Sequence, residues 1–392
     1  MPAEQVSPVV AVVVAVINTP SKALLLLFLT LYWVDTLAAV LPEDRADALF
    51  HSYDGGGVEI TGPSILVRKS FGDSVSVTIH HYVDNVSSAS IDVLTTASPY
   101  SEHREENSIT VDYLHDKTIM SVAMTKSVES DFDASTFSVN FSQDMFGDLT
   151  TVNMGFAFGD NAVGQNGDSS FSEQSTTRNY RLSLSQVVSK NTIMAVAYET
   201  ISDEGFLNNP YRSVRYLDTP TQFLFQKEAY PRTRSSNALA VRFRHYLQRR
   251  AAIHGGYRIY SDSWGISANT FELGYTLPFK TSWIFETSFR YYDQGKADFY
   301  SDLFPFQNAQ NFLARDKELS SFNSLTVGAG VSHAFNNQAW SAIKRGSLNF
   351  NFDYILFDYD DFRDLTQSGS VGNEPLYNFD AIVVRVFLSI WY

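Results

Sequence analysis

From about residue 75 onward, apolar and polar residues alternate in short runs with a period of two. Val75, Val77 and Ile79 alternate with Ser74, Ser76, Thr78 and His80. Ile109, Val111 and Tyr113 alternate with Thr110, Asp112 and Leu114, and Phe137, Val139 and Phe141 with Ser138, Asn140 and Ser142. Successive side chains of a strand point to opposite faces, so each run predicts a strand with one apolar and one polar face. The pattern continues through 238–247, 252–261, 268–277, 283–292, 324–333 and 347–356. In the final run Ile382, Val384, Val386, Leu388, Ile390 and Tyr392 share one face, and Arg385 lies on the other. No amphipathic helix of any length is evident among them.

The connections sort by length. Short links fall at 72–73, 115–117, 147–148, 189–191, 249–250 and 278–280, and long polar segments at 84–104, 159–176, 201–236, 293–317 and 359–378. The links at 128–133, 262–265 and 336–345 depart from this order. A soluble sandwich can also end on an alternating strand, but it has no reason to sort its loops in this way. Tight turns at one end and long loops at the other predict an all-β fold, a single antiparallel transmembrane β-barrel. About 15 runs are countable, and a single-chain bacterial barrel has an even number of strands. If Ala48-Leu49-Phe50 add a strand the total is 16; if one run lies outside the wall it is 14.

The last strand, with its aromatic carboxy-terminus, resembles the closing strand of Gram-negative outer-membrane barrels, the end read by the assembly machinery. Residues 1–39 carry Lys22, the apolar core Ala23 to Leu29, and small residues at Thr36, Ala38 and Ala39. That is the order of a secretory signal, here behind an atypical extension. Asp35 and the short core argue against a membrane anchor. The expected division is a signal over 1–39, a periplasmic or lumenal lead-in over 40–56, and the barrel over 57–392.

Composition narrows the function classes. A mean hydropathy of −0.14 is no bundle of membrane helices, whereas a barrel dilutes its apolar face with lumenal polar residues. The 30 Phe and 21 Tyr suit interfacial girdles. A net charge of −14 argues against nucleic-acid partners. The absence of Cys excludes disulfides, thiolate metal sites and a lipid-anchoring thiol. Candidate chemistry is thin. The acidic run 358–364 lacks the glycine and distal glutamate of a calcium loop and reads as a solvated loop. His80 and His81 point to opposite faces of one strand and cannot share a metal. His254 near Glu272 and Ser261 has no catalytic motif behind it. The expectation is a non-enzyme without cofactor or metal.

Parity places charges on the face that cannot meet lipid, because an Arg or Lys at mid-bilayer costs ~2–4 kcal/mol. The result is a ladder over six runs: Arg181, Glu199, Arg242, Arg244, His254, Arg258, Glu272, Glu286 and Arg290. It is either a selectivity surface or a salt-bridged structural lumen. In the long segments, Arg212, Arg215, Arg232 and Arg234 are expected to pair with Asp298, Asp302 and Asp316. Ordered loops of this composition either enter the lumen as a constriction or dock a partner.

Several runs carry a family resemblance. They include Asn209-Pro-Tyr-Arg-Ser-Val-Arg-Tyr216, Tyr230-Pro-Arg-Thr-Arg-Ser-Ser-Asn237, Tyr257-Arg-Ile-Tyr-Ser-Asp-Ser-Trp-Gly-Ile266 and Ala314-Arg-Asp-Lys-Glu-Leu-Ser320. Asp54-Gly-Gly-Gly57, Leu66-Val-Arg-Lys-Ser-Phe-Gly72 and Ser87-Ser-Ala-Ser-Ile-Asp-Val93 extend it. These are similar to the bacterial family catalogued as domain of unknown function 3570, over roughly 45–392. The resemblance implies an exported barrel in the outer membrane of a Gram-negative bacterium, in contact with its lipids, and brings no catalytic set. Genes of that family lie beside those for a small lipoprotein, a thioredoxin-like protein and a flavin transferase, which implies a lipoprotein or redox partner. Two functions follow as expectations: a narrow or plugged channel for small solutes, or a barrel scaffold that docks a partner without conducting.

Overall fold

The computed structural model describes residues 40–88, 100–336 and 343–392; the expected signal segment lies outside them. The chain forms β1 (Arg45–Gly55), β2 (Val58–Phe71), β3 (Val75–Ser88), β4 (Tyr100–His115), β5 (Thr118–Val128) and β6 (Phe132–Met145). Next come β7 (Thr150–Val163), β8 (Glu173–Ser189), β9 (Thr192–Gly205), β10 (Ser213–Thr219), β11 (Gln222–Lys227) and β12 (Thr233–Tyr246). The last six are β13 (Ala252–Asp262), β14 (Ser267–Phe279), β15 (Trp283–Gln294), β16 (Phe322–Phe335), β17 (Arg345–Arg363) and β18 (Leu376–Trp391). Sixteen of these strands close into one antiparallel barrel, each paired with its neighbours in chain order, while β10 and β11 form a separate hairpin between β9 and β12.

Closure rests on the first strand. Residues 45–55 are not a periplasmic or lumenal lead-in: they are the sixteenth wall strand, so the barrel begins at Arg45 and not at residue 57. Arg45 pairs with Trp391 and Gly55 with Ala381, eleven residues in unbroken register along β18. A Cβ on Gly55 would stand 2.2 Å from that of Ala381, so the seam needs glycine there. Without β1, both β2 and β18 would carry an unpaired edge, which hydrocarbon does not tolerate.

The outer face is apolar as the alternation requires. Ile79 is 58% exposed, Met124 61% and Val327 55%, and Leu239, Phe271, Phe289, Phe350 and Ile382 are exposed with them. No soluble fold leaves so continuous an apolar surface in water. The wall strands run 11 to 19 residues, and about 9–11 tilted residues cross a bilayer, so the longer ones project beyond it. The acidic run at 358–364, expected as a solvated loop, is largely the outer end of β17. Its alternation keeps Tyr359 buried against the interior, Phe362 is fully buried, and the open loop is confined to 364–375.

The two faces make a direct contrast on one strand. Val122→Arg on the lipid side of β5 is expected to lower folding stability by ~2–4 kcal/mol. Ala123→Arg, one residue on and facing inward, is expected to cost less than half as much. Urea titration of the refolded protein in micelles, read by heat-modifiable gel mobility, measures both.

Candidate functional site: a polar lumen beneath a packed cap

The strand register decides where the sequence ladder falls. Arg181 on β8 stands opposite Glu199 on β9, Arg242 and Arg244 on β12 stand opposite Gly256 and His254 on β13, and Glu272 on β14 stands opposite Arg290 on β15. Directly opposite residues share a face, so all nine ladder positions point into the barrel.

Pairing within the ladder is uneven. Arg181 Nε donates to Glu199 Oε1 at 2.6 Å, Arg258 lies 4.0 Å from the same carboxylate, and Arg290 lies 3.6 Å from Glu272. Thr276 Oγ1 donates to Glu286 at 3.2 Å. The His254 ring lies against Gly274, where an added Cβ would sit 2.2 Å from its Nε2. Arg242 and Arg244 make no ion pair among the described residues. The ladder is therefore not neutralised: five arginines share three glutamates, and two of the five are uncommitted.

A second charged wall faces inward from β1 to β4, and parity sorting of the later strands missed it. His51 Nε2 lies 2.7 Å from Asp84 Oδ1, and its ring stacks on Tyr82 with centroids 4.9 Å apart. Arg104 donates to Glu106 at 2.7 Å and lies 3.9 Å from Asp84. His80 and His81 do part company: His80 bonds Ser64 within, and His81 bonds Asn107 on the other face. Between the two walls, the inward positions of β5 to β7 are small or short. They include Ser121, Ala123 and Thr125 on β5, with Gly155, Ala157 and Gly159 on β7.

The long loops do not hang in solvent. The upper inward face of β16 to β18 is aromatic: Phe322, Phe357, Tyr359, Tyr377 and Phe379. Against it pack Tyr300, Ala314 and Leu319 of the 295–321 loop, with Tyr230, Trp264 and Phe299, in one buried cluster. The β10–β11 hairpin is bridged to the same loop through Tyr216–Phe304 and Ala229–Leu313. On one side Tyr211 reaches the β5–β6 turn, bonding Asp131, and accepts from the Asn166 amide at 2.6 Å. On the other side Arg215 reaches the β17–β18 loop, with Nη1 and Nη2 on the two Glu374 oxygens at 2.7 and 3.0 Å. The cap thus spans the outer mouth from wall to wall.

Of the expected loop pairs, Arg212 meets Asp316 and Arg215 meets Asp302. Arg232 pairs with Glu173 and Arg234 with Asp262 instead, because each lies near the base of β12, beside the strand ends that carry those carboxylates. Asp298 makes no ion pair among the described residues; its carboxylate sits over Gly265, where an added Cβ would stand 2.3 Å from Oδ1. No local pattern marks the residues that complete the lock. Arg315 stacks on Phe362 at 4.4 Å and bonds Asp302 at 3.0 Å, so Asp302 bridges two arginines. Arg215 is fully buried, and a buried guanidinium persists only when its donors are met.

Glu228 shows the same logic in reverse. It accepts from Tyr230 Oη at 2.6 Å and from the Arg315 amide at 2.7 Å. Burial, reinforced by the nearby Asp316 charge, pushes its carboxyl up to about 7. Glu374, although burial alone would raise it, is held below the usual glutamate value by Arg215.

These features define a class: a transmembrane barrel with a charged lumen and an ordered cap over its long-loop mouth. The chain belongs to the family described as "Protein of unknown function (DUF3570)", which it matches over residues 90–355. No curated protein matches the sequence. Among solved structures, a bacterial polysaccharide outer membrane secretin is similar at 6% identity and a TM-score of 0.48, over 89% of this chain and 99% of that one. The CymD monoaromatic hydrocarbon channel is similar at 11% identity and 0.42, over 89% of each chain. OmpT of Vibrio cholerae is similar at 10% identity and 0.42, over 90% of this chain and 100% of that one. Likenesses this distant carry no argument about function.

Two outcomes test the cap. Arg215→Met leaves Asp302 and Glu374 without their shared cation, and breaking a buried pair of this kind costs ~3–5 kcal/mol. Limited proteolysis is expected to cut the 206–232 and 364–375 loops at least about tenfold faster, with the barrel band intact on gels. The pH response follows from the two carboxyls. Glu228, raised in the fold, stabilises the cap below the ordinary glutamate value and loses that contribution as pH rises through about 7. Glu374, lowered in the fold, contributes above the ordinary value and is lost as pH falls through it. Loop protection should therefore be highest near the ordinary glutamate value and decline as pH rises toward about 7, and Glu228→Gln should abolish that alkaline decline.

Proposed function

We propose that the barrel is a narrow, capped channel for small solutes across the outer membrane of a Gram-negative bacterium. The observation that carries this reading is the small inward face of β5 to β7, with an uncommitted cationic strip on β12 beyond β8 and β9 further round the wall. Eight strands close on their own side chains, whereas sixteen leave a bore unless something fills it. Seryl, alanyl and glycyl positions do not fill it. Arg242 and Arg244, without carboxylate partners, give the bore a local positive field, which favours anionic solutes. The cap narrows the entrance and sets an upper size.

A second reading is a non-conducting scaffold that docks a surface or periplasmic protein, a redox-related lipoprotein or thioredoxin-like protein included. It draws on the apolar residues left exposed on the outside of the cap: Leu224, Phe225, Phe306 and Phe312. The two readings separate in one assay. In proteoliposome swelling, a channel admits a small carboxylate faster than a neutral sugar of equal size. Arg242→Glu with Arg244→Glu is expected to reverse that order without changing the neutral rate by more than about twofold. No swelling with any solute would favour the scaffold.

A further inference from the structure

The tight-turn end of the barrel is electrically divided. Its turns at 72–74, 116–117 and 146–149 carry Asp73, Asp116, Lys117 and Asp148, and Lys117 is paired with Asp148 at 2.7 Å. The next four connections, 190–191, 247–251, 280–282 and 336–344, carry Lys190, Arg249, Arg250, Lys280 and Lys344 and no acidic residue. In a chain of net charge −14 this is an isolated cationic arc. All five side chains are exposed, and none makes an ion pair among the described residues.

Three details turn the arc toward the bilayer. Lys280 Nζ lies 5.4 Å from the centroid of Phe279, an exposed outward ring, so this ammonium folds back onto the lipid-facing wall. Arg250 Nη1 reaches the Lys280 carbonyl at 3.5 Å, drawing the neighbouring turn's guanidinium toward the same spot. Beside them Trp283 and Phe285 face outward, with His333 packed 4.4 Å from the Trp283 ring, as in an interfacial girdle. Arg249 and Arg250 both have left-handed backbone, at φ of +64° and +66°, a conformation costly to non-glycine residues. The turn accepts that strain while presenting two adjacent guanidinium groups. The turns at 190–191, 247–251 and 280–282 are too short to reach far from the wall, so their charges stay at headgroup depth.

We infer that this arc binds the phosphate headgroups of anionic phospholipids in the adjoining leaflet. Arginine forks and lysine ammonium groups bind phosphate oxygens well, and each cation at a membrane surface contributes ~1 kcal/mol. The site is independent of conduction through the lumen. The test is native mass spectrometry of the refolded protein released from micelles with equal phosphatidylglycerol and phosphatidylcholine. The wild type is expected to retain phosphatidylglycerol over phosphatidylcholine by at least about fivefold. The variant Lys190→Gln, Arg249→Gln, Arg250→Gln, Lys280→Gln should bring the ratio to about one, with heat-modifiable mobility showing that it still folds. Lys117→Gln, on the other arc, should leave the ratio unchanged, and so should millimolar inorganic phosphate. Equal retention of the two lipids by the wild type would overturn the inference. So would an undiminished preference in the fourfold variant, an equal loss in Lys117→Gln, or displacement by inorganic phosphate.

Discussion

Everything in this molecule depends on closing the sheet. In hydrocarbon an unpaired backbone amide or carbonyl has no water to turn to, so a strand can cross only if both its edges are bonded. The β1–β18 pairing supplies the last pair of edges, in register from Arg45–Trp391 to Gly55–Ala381. Once the ring is closed, parity does the rest. Each strand can have only one lipid face, and each charge must lie on the other face or beyond the bilayer. The lumen's chemistry is thus a by-product of the membrane constraint before it is anything else, and the question is which charges are left over after pairing.

That remainder could not be read from the sequence. Parity put Arg181, Glu199, Arg242 and their neighbours on the inward side without any structure, because the period of two is exact and the outer face is plainly apolar. Pairing depends on register, and register is set by turn geometry and shear. Whether Arg242 meets Gly256 or a carboxylate is a matter of one or two residues in the β12–β13 turn. The first strand was half legible: Ala46, Ala48 and Phe50 alternate, but Asp47 among them and His51 and Asp54 after them resemble a polar leader as much as a wall. The cap was least legible. Its composition announced a packed loop, yet partners such as Arg215 and Glu374 lie 159 residues apart. No local pattern joins them.

The cap and the lumen obey opposite rules. In the cap, Arg215 and Arg315 are buried and saturated: Arg215 by two carboxylates, Arg315 by Asp302, the Arg363 carbonyl and the Phe362 ring. Their charge is spent on rigidity and gives no field to a solute. In the lumen, Arg242 and Arg244 are partly exposed and unpaired, and their charge remains available. A cap that is stiff and a wall that is not neutralised suit a passage with a fixed entrance and a charged lining. They suit a purely structural plug less well, since a plug would pair its charges throughout.

Single-channel recording of the refolded protein in a planar bilayer decides whether the capped lumen conducts. Discrete, stable conductance steps that carry more anion than cation current are expected, with larger steps when Arg215→Met loosens the cap. A silent bilayer for both the wild type and the loosened variant would contradict the capped channel, because a lumen lined by Ser121, Ala123, Gly155 and Ala157 would then be closed by something other than the cap.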